Sequence, residues 1–192
     1  MYISGQMEQL IHFINRYTTL DKAAEKALGE MAKPENLQKN EFLLKPRQYC
    51  NKLWFIKSGL IRRYHVRKNK ELTIWIYYEN QWVTSSQSFF YHEPASEYLQ
   101  ACENSELISI SEEASQALMQ YPAIQKFSNR HLQEMLACTE KFALEFNPLS
   151  AGEKYQYLFD HAAPIMKRAK LGHIASLMGI SQETLSRIRA RN

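Results

Sequence analysis

The stretch His173-Ile174-Ala175-Ser176-Leu177-Met178-Gly179-Ile180-Ser181-Gln182-Glu183-Thr184-Leu185-Ser186-Arg187-Ile188 decides how this chain reads. Ile174, Ala175 and the Leu177-Met178 pair put small and large apolar groups on the inner face of one helix, with Ala175 allowing close approach of a second. Gly179 can take the left-handed conformation that ends such a helix. Ile180 then plugs the space between the helices, and Ser181 is placed to cap a second helix whose buried side carries Leu185 and Ile188. The pattern predicts a helix-turn-helix.

The opposite face of the second helix displays Gln182, Glu183, Ser186 and Arg187, and further on Arg189 and Arg191. A glutamate can accept from a cytosine amino group, an arginine can bond guanine through two N–H groups, and a serine can serve a base edge or a phosphate. Glu183 and Arg187 lie one turn apart and share a face, which suits neighbouring base pairs in a major groove. Taken alone, the same pair fits an ion pair on a solvated helix better. Within the whole helix-glycine-helix pattern, the expectation is that Ser181, Gln182, Glu183, Ser186, Arg187, Arg189 and Arg191 form a surface for double-stranded DNA.

Charge is distributed accordingly. The formal net charge is +4, yet residues 1–146 hold 17 Lys or Arg and 17 Asp or Glu, while residues 147–192 hold seven and three. A short basic module on a neutral body suits a phosphate backbone, although charge by itself also suits a membrane surface or simple solubility.

Upstream of the module, Asn147-Pro148 breaks a long helix expected from Ala123 to about Phe146. Ile124, Phe127, His131, Met135, Cys138 and Phe142 recur on it with nearly coiled-coil spacing, and Leu132, Leu136 and Ala143 form a second stripe beside them. Two stripes suggest packing on the chain's own body and on a partner helix in a homodimer; a helix buried within one subunit fits this stretch equally. Before it, Ser111-Glu112-Glu113 caps a short helix ending near Tyr121-Pro122.

From about Glu35 to Ser111 the period is two, and the clearest strands are Leu53–Lys57, Leu60–Val66, Leu72–Tyr78, Tyr98–Cys102 and Leu107–Ser111, with Ser58-Gly59 as a tight link. Many short antiparallel strands predict a small barrel or jelly roll. Ser85 to Tyr91 interrupts them as a short helix or a loop. Residues Met7 to Met31 read as two short helices, with Leu10, Ile11, Phe13 and Ile14 on one apolar face, Asp21 as the N-cap of the second, and Pro34 ending the segment.

The run Ile174-Ala175-x-x-Met178-Gly179-Ile180-Ser181-x-Glu183-Thr184-Leu185-Ser186-Arg187 resembles the helix-turn-helix signature of the Crp/Fnr superfamily of transcription regulators, and Leu149 to Tyr155 resembles the first helix of its winged domain. The resemblance implies an α+β chain: a cyclic-nucleotide-binding-like β-roll at 1–122, a dimerisation helix at 123–146 and a winged helix-turn-helix at 147–192. It further implies that Glu183, Ser186 and Arg187 hold the base-reading positions, that Gln182 adds a base or phosphate contact, and that the operator is a two-fold pseudo-palindrome of TTGAT-like halves. Some relatives also touch RNA polymerase through surface loops; no such loop is assigned here.

In members that bind cyclic AMP, a Gly-Glu pair opens the short helix of the roll and an Arg-Ser or Arg-Ala pair follows it. Here the matching segment runs from Ser85 to Ser96, without the Gly-Glu, and Ala95 falls where the arginine belongs. A phosphate left unneutralised in such a pocket is costly, so cyclic nucleotide binding is not expected. Ser85, Ser86, Gln87, Ser88, Tyr91 and His92 can instead line a pocket for an unknown small-molecule effector, or form a capped, solvated loop.

The remaining expectations are absences. Cys50, Cys102 and Cys138 have no metal- or cluster-binding spacing and read as reduced thiols in or near the core. The six histidines are single residues; no metal ligand and no cofactor is assigned. The chain shows no G-x-S-x-G, P-loop, H-E-x-x-H or G-x-G-x-x-G, so no catalytic residue is named and no enzyme is expected. No apolar run is long enough for a bilayer and Met1 to Met7 lacks signal-peptide features, which makes a cytoplasmic location without membrane contact the default.

Overall fold

The computed structural model describes residues 7–191; the reading of residues 1–6 as free of a signal lies outside the described residues. The elements are α1 (Glu8–Asn15), α2 (Lys22–Met31), β1 (Lys33–Leu37), β2 (Phe42–Leu44), β3 (Lys52–Ser58), β4 (Ile61–Arg67), β5 (Lys70–Tyr77), β6 (Trp82–Val83), α3 (Ser86–Tyr91), β7 (Tyr98–Ala101), β8 (Ser105–Ser111), α4 (Glu112–Leu118), α5 (Pro122–Phe146), α6 (Ala151–His161), α7 (Ala163–Arg168), α8 (Leu171–Met178) and α9 (Gln182–Arg191).

The strands form two four-stranded antiparallel sheets, ordered β1-β8-β3-β6 and β2-β7-β4-β5. Their facing sides enclose Trp54, Ile56, Ile61, Leu99 and Leu107, which is the core of the β-roll. Alternation sends the intervening residues outward: Phe55, Ile108 and Ile110 meet α1, α2, α4 and the start of α5. Leu60 and Ile76 leave the second sheet on its outer side and join the core of the C-terminal helices. β3 and β8 are thus buried on both faces, which explains why Trp54-Phe55-Ile56 is a continuous apolar run rather than an alternating one.

Local signals in the sequence correspond to local structure. The Asp21 carboxylate accepts from the Ala24 N–H at 2.8 Å and the Ser111 hydroxyl from Ala114 at 3.1 Å. Gly59 sits at φ 108°, and a Cβ there would lie 2.8 Å from the Ser105 Cα, so the turn after Ser58 admits no larger residue. Residues 86–91 are helical, which settles the segment left open between helix and loop.

Some expectations are corrected. Pro34 does not end α2, which stops at Met31; it stands in β1, a strand whose polar sequence Lys-Pro-Glu-Asn-Leu carries no period-two signal. Cys138 is exposed on α5 rather than near the core. The helix-turn-helix is present without strands of a wing: among the described residues none follows β8, and helical periodicity continues from Ala151 to Arg191.

Candidate nucleic-acid interface

Ser150 opens the C-terminal module with a capping box, its hydroxyl accepting from the Glu153 N–H while the Glu153 carboxylate accepts from the Ser150 N–H. The module's core is Leu158, Ala162, Ile165, Met166, Ile174, Ala175, Met178 and Leu185, closed at one end by Phe146 of α5. Gly179 ends α8 at φ 71°, and the Ile180 N–H donates back to the Ala175 carbonyl at 3.0 Å. The Ser181 hydroxyl accepts from the Thr184 N–H at 3.1 Å, which fixes the start of α9.

Leu185 is fully buried, and this sets the rotation of α9: Gln182, Glu183, Ser186, Arg187, Arg189 and Arg191 are all exposed. Ser181 is exposed as well, with its oxygen engaged in the cap. The i,i+4 ion pairs among the described residues are Lys26–Glu30 and Lys141–Glu145; Glu183 and Arg187 form none. Hydrogen bonds from Ser181 and from its own backbone N–H, with Arg187 nearby, hold the Glu183 carboxyl below its ordinary range, so it is an ionised acceptor. Arg189 departs from the group: it donates to the Met166 carbonyl at 3.1 Å and so braces α7. The Gln182 side chain lies over Gly172, where a Cβ would stand 2.7 Å from its Nε2.

The module is docked on the roll through contacts that the sequence did not announce. The Thr73 N–H donates to the Ser176 hydroxyl at 2.9 Å, and that hydroxyl donates to the Glu71 carbonyl at 3.0 Å, so α8 is pinned to β5. Arg168 donates to both oxygens of Glu79 and pairs with Glu103 at 3.1 Å. Burial favours a raised pKa for Glu79, but bonds from Arg168 and from the Gly59 N–H outweigh it and hold the carboxyl below the ordinary range. Between these anchors, Arg62 is buried, paired with Glu71 and stacked over Tyr64, its Cζ 3.8 Å from the ring centroid. Burial, with Arg62 and Lys170 close by, pushes His173 down to about 4, and its Nδ1 lies 3.8 Å from the Cys102 sulfur.

The seam predicted on α5 divides. Ile124 and Phe127 are buried in the subunit's own core, and His131 stacks on Phe127 with ring centroids 5.5 Å apart. Phe142 packs on Trp75 and Phe146. Of that row only Met135 and Cys138 are exposed, whereas in the second row Leu132 is 50% and Leu136 62% exposed. The inward-facing row therefore holds α5 to its own subunit, and the outward-facing apolar row is Leu132, Leu136 and Ala143.

The six residues assigned to an effector pocket are not brought together. Ser85 and Ser88 are buried, with the Ser88 hydroxyl accepting from the Cys50 N–H at 2.8 Å; Ser86, Gln87, Tyr91 and His92 are exposed. His92 takes the left-handed conformation at the end of α3, and its Nε2 lies 3.5 Å from Glu112. Two residues beyond Ala95, the buried Glu97 is paired with Arg63 at 2.7 Å. A cyclic phosphate held beside residue 95 would meet this carboxylate, so the residues present do not fit the nucleotide.

Residues 34–121 match the family described as cyclic nucleotide-binding domain. No curated protein matches the chain. Among solved structures, a protein of Eubacterium rectale described as a Crp/Fnr-family transcriptional regulator superposes with TM-score 0.67 at 16% identity, covering 90% of this chain and 83% of its own. The c-di-GMP-responsive global regulator CLP of Xanthomonas campestris gives 0.65 at 16% identity, with 89% and 91% covered. FixK2 of Bradyrhizobium japonicum gives 0.64 at 12% identity, with 83% of each chain covered. The chain thus shares the fold of these proteins, a cyclic-nucleotide-binding-like roll carrying a helix-turn-helix. Among the described residues no helix is long and apolar enough to cross a membrane.

Proposed function

We propose that this chain is a sequence-specific DNA-binding transcription regulator, acting as a homodimer on a two-fold pseudo-palindrome, and not an enzyme. The observation that carries the reading is the orientation of α9: Leu185 is locked in the core, while Glu183, Ser186 and Arg187 stand exposed on one face without an ion pair between Glu183 and Arg187. The exposed row Leu132, Leu136, Ala143 supports a partner helix along α5, and dimers of helix-turn-helix modules set their recognition helices about one helical turn of DNA apart. Residues 1–122, 123–146 and 147–192 then serve as effector roll, dimer helix and reading head. The Arg63–Glu97 pair and Ala95 support an effector other than cyclic AMP.

The test is selection of random duplex DNA on the purified protein at physiological salt, with Arg187→Ala as control. Enrichment of a two-fold motif with TTGAT-like halves, lost in the variant, is the expected result. No enrichment with or without cell extract would sink the proposal in favour of a ligand-binding module that works through protein partners.

A further inference from the structure

In the middle of α5, residues 132–141 are exposed around the whole circumference, about three turns of helix. Two series through Leu132 and Thr139 have the alternating four-three spacing of a coiled-coil seam. One of them, continuing to Ser128, Phe142 and Phe146, runs into the subunit's own packing at those three residues. The other, Gln125, Asn129, Leu132, Leu136, Thr139 and Ala143, is exposed at every position. Exposure thus selects the seam, with Asn129, Leu136 and Ala143 at its a positions and Gln125, Leu132 and Thr139 at its d positions.

The polar residues of this seam make different demands on a partner. Thr139 gives its hydroxyl proton to the Met135 carbonyl of its own helix at 2.7 Å and can turn its methyl group to the seam. Gln125, at the seam's end, gives its amide N–H to the Met119 carbonyl at 2.6 Å. Among the described residues no such bond holds Asn129, whose amide offers both donors and an acceptor.

We propose that Asn129 fixes how two copies of this chain pair: parallel and in register along α5, each Asn129 amide donating to and accepting from that of its partner. The inference rests on the homodimer of the proposed function and adds its geometry. An amide closed into a seam without a partner is costly, so the pairing that satisfies it prevails. Slipping one helix by a heptad sets an Asn129 against Leu136, which offers it nothing. Reversing one helix about the leucine layers sets Asn129 against Thr139, whose proton is already used, so the asparagine carbonyl finds no donor. The reversed pair gains a Lys126–Glu140 contact, but an ion pair at an exposed edge is worth little. In the parallel pair the edges bring Ser128 to Gln133 and Met135 to Glu140, so no like charges are opposed. A single a-position asparagine selects register and strand number at a cost in affinity.

The test is the distance between spin labels on two copies of the full chain, with sedimentation equilibrium for the affinity. Cys50 is buried and burial pushes the Cys102 thiol up to about 11, which leaves Cys138 as the reactive thiol. Cys138→Ser removes it, and Leu144→Cys puts the label outside the seam at a position 78% exposed. In the parallel pair the two labels lie side by side; in the reversed pair they stand about 30 Å apart along the helix axis. A dimer with one short distance is expected. Asn129→Leu in the same background is expected to tighten association at least tenfold and to lose the single pairing, giving a second, longer distance or species heavier than a dimer. A dimer with labels more than about 30 Å apart, or an Asn129→Leu variant that keeps either the affinity or the single pairing, would overturn the assignment and leave the homodimer standing. A chain that stays monomeric at every concentration would remove the homodimer as well.

Discussion

Arg168 and Glu79 meet through two parallel hydrogen bonds of 2.8 and 2.7 Å, which join the C-terminal module to the roll across 89 positions of sequence. The side chains are about one-third exposed, so solvent screens the pair. Arg168→Ala is expected to cost about 1–2 kcal/mol in urea unfolding and to increase proteolysis near Asn147. Because the Glu79 pKa is depressed, its contribution is full above the unfolded value of about 4.3 and is lost as pH falls through the lower folded value. In the variant that acid limb should flatten.

His173 gives a second pH dependence, in a different window. Its folded pKa of about 4 lies below the unfolded value of 6.5, so the unfolded chain binds more protons between these limits and stability falls as pH drops through them. Between pH 7 and 5 the expected loss is about 1 kcal/mol, allowing for partial exposure. His131 is shifted in the same direction, so urea midpoints of His173→Gln and His131→Phe separate the two.

On α5 the two rows should respond differently. Leu136→Lys is expected to leave subunit stability within about 0.5 kcal/mol but to give a monomer in sedimentation velocity, because Leu136 is 62% exposed. Phe127→Ala, in the buried row, is expected to cost about 3–5 kcal/mol. A dimer surviving Leu136→Lys would place the interface elsewhere.

At the reading head, Arg187→Ala is expected to lose about 1–3 kcal/mol of specific affinity in fluorescence anisotropy while binding to unrelated duplex changes little. Arg189→Ala, which removes the brace to the Met166 carbonyl, should instead lower the stability of the module. Equal effects of the two on base preference would refute the assignment of Arg187 to base readout.

What was legible in the sequence was local. Gly179, Ser181 and Leu185 announce a turn, a cap and a buried face through neighbours within a few residues, and each took the expected role. Short apolar and alternating runs announced β3, β4, β5, β7 and β8 in the same way, whereas β1, β2 and the two-residue β6 owe their existence to partners far along the chain. Site features of the same kind went unread: nothing near Arg168 indicates Glu79, and nothing near Ser176 indicates Thr73. The two rows on α5 were visible, but which of them faces inward depends on α1 and the first sheet, which periodicity does not contain.

β5 lies at the border of its sheet, and the Ser176 hydroxyl occupies backbone groups of that border at Thr73 and Glu71. Helix α8 therefore also shields a strand from self-association. A strand border with open N–H and C=O groups is a template on which another chain can polymerise. Any motion that lifts the C-terminal module away from the roll uncovers this template, so the mobility of that module is bounded by the protein's tendency to self-associate.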